Sequence, residues 1–236
     1  MSGTVDFREE IIDWGIVAVA GAGAYVFSTT GPFCEQSFID GRTNLPLMDE
    51  NLPRMEFYGT TFAISAIALL MPALELDKSM KYNHFKGLIQ SATTTAMLTG
   101  LTKDIFGAPR PDADARRLAE YDERHIRDSF PSGHASFAFA CATYSSLYIM
   151  RFAQDDNWRH SSLKIVGAAG FFAGASAVAY SRVDRNKHRP EDVIAGALLG
   201  AGVATGFFFW KDNCTTASPM PEIEIAPDGI SLVWKF

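Results

Sequence analysis

PSGHASFAFACATYSSLYIM, residues 131–150, is the stretch on which the fold turns. Ser132 is a natural helix N-cap, and Gly133 lets backbone N–H groups approach an anion at the positive end of the helix that follows. From His134 to Met150 the residues are apolar or small, with no Asp, Glu, Lys or Arg. An anion-binding turn therefore opens a helix that approaches the ~20 residues needed to cross a hydrocarbon core.

Working outward, five more apolar stretches of helical length appear: Trp14–Ser28, Phe57–Leu74, Gly87–Leu101, Leu163–Tyr180 and Val193–Trp210. They are rich in the small residues that let membrane helices pack closely, as at Gly21 and Gly23, Gly167, Gly170 and Gly174, or Gly196, Gly200, Gly202 and Gly206. The fold class expected is all-α, a six-helix membrane-embedded bundle. A soluble bundle with tight contacts is the competing reading. The mean hydropathy of +0.02 is low for six spans, and the third stretch is flecked with Gln90, Thr93, Thr94 and Thr95. The tail differs in kind. Alternating segments on either side of Pro227-Asp228-Gly229 predict a short C-terminal β-hairpin, so residues 1–212 form the main domain and 213–236 a tail.

If all six stretches span, the connections Thr29–Glu56, Lys103–Gly133 and Ser181–Asp192 share one face. The N-terminus, Glu75–Lys86, Arg151–Ser162 and the tail share the other. Lys103, Arg110 and Arg182 fall on the first face. With those three set aside, Lys and Arg divide nine against nine, so charge does not orient the chain.

Composition excludes several classes of function. The chain is one domain by length, and 21 Lys+Arg against 27 Asp+Glu give a net charge of −6, so no nucleic-acid partner is expected. Against that background, cations gathered at one place imply a local field aimed at a small anion. Cys34, Cys141 and Cys214 form neither a disulfide framework nor a metal-ligand spacing. No zinc pattern and no glycine-rich nucleotide loop is present. The first ten residues are acidic where a secretory signal would be basic, so membrane association must come from retained segments.

The chemistry sits in three blocks: Lys103 with Arg110-Pro111, then Pro131–His134, then Ser181-Arg182 with His188 and Asp192. Pro190 falls at the expected first turn of the sixth helix, and one turn brings Asp192 back near His188. The Asp192 carboxylate can then accept the Nδ1 proton and leave the Nε2 lone pair facing the site, as a nucleophile needs. His134, just inside its helix, is placed to protonate a departing alkoxide. Ser132 and Gly133 cradle phosphate oxygens, and Lys103, Arg110 and Arg182 neutralise the equatorial oxygens of a phosphoryl transition state. Any one of these cations alone would read as an interfacial side chain snorkelling from a helix end. The charges between Asp112 and Arg127 read as a solvated loop or surface helix, with His125 a weaker candidate than His134. His84 and His160 fall on the opposite face.

The combination K-x6-R-P, P-S-G-H and S-R-x5-H-x3-D resembles the type 2 phosphatidic acid phosphatase (PAP2) superfamily, and every fixed letter is present. That resemblance covers roughly Lys103–Asp192 and the helices around it. It implies a PAP2-type bundle and a hydrolase of lipid phosphate monoesters or diphosphates, phosphatidate-like or isoprenyl diphosphate. In the family, the histidine at the position of His188 forms a phosphohistidine, with neither metal nor cofactor required. The family's site faces the extracytoplasmic or lumenal side of the membrane. Vanadium haloperoxidases share this pocket and are a second enzyme class to weigh; a non-catalytic phospholipid-binding membrane protein is a third. Lipid headgroup and oligomeric state are not written in the sequence, and substrate choice is expected to reside in Thr29–Glu56 and Gly107–Asp128.

Overall fold

A computed structural model describes residues 7–33, 37–39, 41–49, 54–70, 78–152, 158–216, 222–226 and 229–233. Six long helices carry the six apolar stretches: α1 (Phe7–Thr29), α2 (Arg54–Leu70), α3 (Lys78–Phe106), α6 (Gly133–Phe152), α7 (Trp158–Asp184) and α8 (Pro190–Thr216). Two short helices, α4 (Ala113–Leu118) and α5 (Glu123–Ile126), fill the connection between α3 and α6. Strands β1 (Glu222–Ala226) and β2 (Gly229–Val233) pair antiparallel, with Ile225 opposite Ile230. Pro227, Asp228, Cys34 and residues 71–74 of the second apolar stretch lie outside the described residues, as does the side chain of His160.

α1, α3, α6, α7 and α8 overrun their apolar stretches at both ends because backbone hydrogen bonding continues until something local stops it. α3 ends where Gly107, at φ +51°, returns its N–H to the Lys103 carbonyl, a left-handed turn that glycine adopts without strain. α7 ends at Asp184, after which Asn186 (φ 57°) folds the chain back so that the N–H groups of Lys187 and His188 both reach the Arg182 carbonyl. α8 starts with Pro190 in its first turn, and the carboxylate of Asp192 reaches back to the N–H of Arg189 at 2.8 Å, half of a capping box.

α6 is the central helix, lying against α2, α3, α7 and α8. Its closest partner is α8. A Cβ added at Gly200 would stand 1.9 Å from the Ser136 carbonyl oxygen, and one at Gly196 would stand 2.6 Å from that of Ser132. Glycine at these two positions lets the beginnings of α6 and α8 touch backbone to backbone, and the N–H of Ser132 donates to the Asp192 carbonyl at 2.9 Å. Leu88, Cys141, Tyr144, Tyr148, Ala204 and Phe208 form the main core cluster, with His84 buried among its aromatic rings at the end of the bundle away from the motifs.

Polarity is distributed inside out. Gln90, Ser91, Thr95, Ser136 and Ser145 are buried, while Val19, Tyr25, Ile67, Val166, Tyr180, Ile194 and Leu198 are exposed. Exposed large apolar residues on several helices are costly in water and expected in lipid. Three segments are long and apolar enough to cross a membrane: Arg8–Thr29, Ser162–Asp184 and Pro190–Asn213.

Candidate active site

The motif residues meet at one end of the bundle because four helix ends converge there. α3 brings Lys103 in its last turn, α6 brings Gly133 and His134 in its first, and α7 brings Arg182 in its last. The turn before α8 carries His188. These residues and Arg110 line one cavity of about 500 Å³. Ser132 and Asp192 stand behind its wall, fully buried.

His188 is 3% exposed, and its Nδ1 lies 2.7 Å from the carbonyl oxygen of Ser129. A carbonyl only accepts, so Nδ1 carries the proton and Nε2 keeps the lone pair. The tautomer is the one expected, but the acceptor is not. Asp192 Oδ2 is 3.8 Å from Nδ1 because that oxygen is already committed to the N–H of Arg189 at 2.8 Å and to Ser129 Oγ at 2.5 Å. Asp192 thus also reaches the histidine through Ser129, which it holds by the hydroxyl while the Ser129 carbonyl lies against the imidazole. Burial, then the charges of Arg110 and Lys103, push the His188 pKa below its ordinary value, against an upward pull from Asp192.

His134 is held by aromatic rings. Its imidazole lies over Phe57, centroids 4.7 Å apart, and beside Tyr58 at 5.6 Å. Both rings come from α2, which is how a helix without a motif residue takes part in the site. Ser132 precedes the first residue of α6 and its hydroxyl is 3.5 Å from the N–H of Ala135, the geometry of a long N-cap contact.

The cations are fixed by loop backbone and by one carboxylate. Arg110 donates from Nη1 to the Lys187 carbonyl at 2.9 Å and from Nε to Asp128 Oδ1 at 2.5 Å. Lys103 Nζ donates to the Asp128 carbonyl oxygen and lies 3.8 Å from Asp128 Oδ2. Arg182 is 1% exposed, with its carbonyl closing the turn that presents His188.

The connection between α3 and α6 departs from the solvated segment expected of it. Asp112 is fully buried, accepts from Arg116 Nε at 2.7 Å and lies 3.8 Å from Lys187 Nζ. Arg124, His125 and Asp128 line the cavity itself. A run of mixed charges looks alike whether it faces solvent or folds over a charged site, so composition could not separate the two. Asp128 and Ser129 were also missed; the only signal was their place immediately before Phe130 and the Pro131–His134 block. The loop after α1 seals this end of the bundle: Arg42, Met48 and Pro46 offer carbonyls to Arg189, Lys187 and Asn186.

The cavity has two kinds of wall. Four cations (Lys103, Arg110, Arg124, Arg182) and two carboxylates (Asp104, Asp128) form the charged part of its lining, and the other part includes Ala24, Phe27, Ala96, Tyr58 and Phe137. The latter come from α1, α2, α3 and α6, and the described backbones of α1 and α2 do not approach one another. Among the described residues no group of His, Cys, Asp and Glu has the arrangement of a metal site.

Residues 86–215 match the family model of the PAP2 superfamily. Lipid phosphate phosphatase 1 of Arabidopsis thaliana is 28% identical over 81% of this chain, which spans 65% of that protein's length. A probable diacylglycerol pyrophosphate phosphatase 1 of Schizosaccharomyces pombe is 26% identical over 60% of this chain and 61% of its own. Lipid A 1-phosphatase of Porphyromonas gingivalis is 30% identical over 65% of this chain and 32% of its own. No solved structure matches the chain.

Proposed function

Because this chain belongs to the PAP2 superfamily, we propose that it is an integral membrane phosphatase, independent of metal, that hydrolyses lipid phosphate monoesters or diphosphates of phosphatidate-like or isoprenyl diphosphate type. The observation that carries this reading is the two-walled cavity. The cluster of cations suits a phosphoryl group, and the apolar side chains from α1, α2, α3 and α6 suit the hydrocarbon attached to it. The names of the relatives supply the same two halves, a phosphate and a lipid.

In the proposed reaction the Nε2 lone pair of His188 attacks phosphorus, the P–O bond to the lipid breaks, and His134 gives its proton to the departing oxygen. The products are a lipid alcohol, or a lipid monophosphate when the substrate is a diphosphate, and a phosphohistidine. Water then attacks that phosphorus, His134 takes up a proton, and His188 is released with inorganic phosphate. Lys103, Arg110 and Arg182 hold the three equatorial oxygens, with the N–H groups at the start of α6 completing the cradle. Placing both histidines and three cations at fixed positions is the work that a metal does in other phosphatases.

The proposed unit of function is residues 1–212, with 213–236 as an appended tail. The six long helices are read as spans, with the cavity opening on the extracytoplasmic or lumenal face. A cysteine at exposed Asn44, labelled from one side of sealed vesicles, tests the orientation. The activity is tested by release of phosphate from a panel of lipid phosphates without divalent metal, comparing wild type with His188→Ala. Loss of turnover in the variant alone supports the reading; turnover retained by the variant, or abolished by EDTA, overturns it. Vanadate should inhibit, and vanadate-dependent halide oxidation would replace the proposal with a haloperoxidase.

A further inference from the structure

Asp128 is a carboxylate on the wall of an anion site, and nothing in the reaction above uses it. It joins two cations that come from different elements. Its Oδ1 accepts from Arg110 Nε at 2.5 Å, its backbone carbonyl accepts from Lys103, and its Oδ2 stands 3.8 Å from Lys103 Nζ. All three side chains are largely withdrawn from solvent, at 15% exposure for Asp128 and Lys103 and 10% for Arg110. Two cations brought together at such a place repel each other and lose hydration, and a carboxylate between them offsets both costs. The Asp128 carboxylate and the Lys187 carbonyl also fix the Arg110 fork from two of its nitrogens.

The same charge has an opposite effect on a ligand. Asp128 lines the cavity beside the cations that would hold a phosphoryl group, so an incoming anion meets a fixed negative charge as well as positive ones. Like charges held side by side at a partly desolvated site weaken binding appreciably. A lipid ester recovers the loss through contacts along its hydrocarbon; orthophosphate, with no such contacts, does not.

We propose that Asp128 is a specificity-determining and positioning residue that orients Lys103 and Arg110 while holding down the affinity of the site for orthophosphate, so that the product leaves and free phosphate does not occupy the enzyme. This rests on the phosphatase reading for its biological meaning, but its physical content is separately measurable. Asp128→Asn keeps an oxygen facing Arg110 and removes the charge, whereas Asp128→Ser removes the charge and shortens the side chain.

The experiment is calorimetric titration of the full chain, purified in detergent, with inorganic phosphate. Asp128→Asn should bind phosphate about tenfold more tightly than wild type, and Asp128→Ser should bind it more tightly than wild type if the Asn variant cannot be purified folded. Asp128→Glu, which restores the charge, should return the affinity toward the wild-type value. A purely structural role predicts the reverse, because damage to the site weakens binding and does not strengthen it. Equal or weaker phosphate binding by the neutral variants overturns the inference, as does failure of both wild type and variants to bind phosphate. A wild type that turns over no lipid phosphate, yet shows the tenfold gain in the Asn variant, would sink the phosphatase reading and leave this one standing. Wild-type turnover with unchanged affinity in the variants would do the opposite.

Discussion

Two ionic clusters stand toward opposite ends of α3. Lys86 belongs to one and Lys103 to the other, 17 residues apart on one helix, or about 25 Å at 1.5 Å per residue. At the Lys86 end, Glu10 and Asp13 of α1 meet Lys86 and, from α8, Lys211, while Gln90 donates to Asp13 Oδ1 at 2.9 Å. Two carboxylates face two ammonium groups at close range. At the Lys103 end, four cations and two carboxylates line a cavity, and three histidines (His125, His134 and His188) stand among them. Buried charge that is matched ties elements together. Buried charge in excess, around a cavity with an uncommitted imidazole nitrogen, prepares a place for an anion. The first cluster fastens α1 to α3 and α8; the second is the candidate site.

Changing one cluster should move one property, activity or stability, and leave the other. The largest effect should come from His188→Ala, which removes the proposed nucleophile: phosphate release should fall by about 10⁴-fold or more with helical content unchanged. Arg182→Ala deletes the buried cation proposed to hold a transition-state oxygen and should lower kcat by about 10²–10³-fold. At the other end, Asp13→Ala removes the buried carboxylate that Lys86 and Lys211 share and leaves Glu10 beside Lys86. It should lower unfolding stability by about 3 kcal/mol, read by thermal or denaturant unfolding in detergent, while kcat of the folded fraction changes little. Loss of chemistry in that variant, without loss of stability, would erase the distinction between the two clusters.

A smaller effect sharpens the account of Asp192. If it works through Ser129, Ser129→Ala should reduce kcat about tenfold by freeing one side of the tether, while the backbone carbonyl still receives Nδ1. An effect as large as that of His188→Ala would show that the hydroxyl itself takes part in the reaction. The pH profile tests the electrostatics of His188. Its pKa is depressed from 6.5 by burial and by Arg110 and Lys103, so the imidazole stays neutral as pH falls through that value and protonates only at lower pH. The acid limb of kcat/KM should therefore lie below 6.5; a limb at or above 6.5 would remove His188 as its source.

Much of this was legible in the chain because it is local. Apolar runs of helical length became α1, α2, α3, α6, α7 and α8, since backbone hydrogen bonding and side-chain period are set within a few residues. Ser132 and Pro190 marked helix starts for the same reason. Asp192 shows where local reading stops. Spacing of four residues brought it near His188, but the same position, third in a helix, also serves the Arg189 N–H, and that bond with Ser129 Oγ leaves the carboxylate 3.8 Å from Nδ1. The acceptor that holds His188 is a backbone carbonyl 59 residues away. Every residue has such a carbonyl, so no letter could announce it. Asp112 was misread for a related reason: a charged residue looks the same in sequence whether it faces water or a buried arginine.

By itself the sequence determined the helices, the order of the three blocks and the kind of chemistry those residue types support, because these depend on covalent spacing and on side-chain identity. Tertiary structure alone decided that Asp128 joins Lys103 to Arg110, that Phe57 and Tyr58 lie against His134, and that cationic and apolar side chains line one cavity. Those are contacts between elements far apart in the chain, fixed by how closely helices pack, and at Gly196 and Gly200 by the absence of a single carbon atom on each.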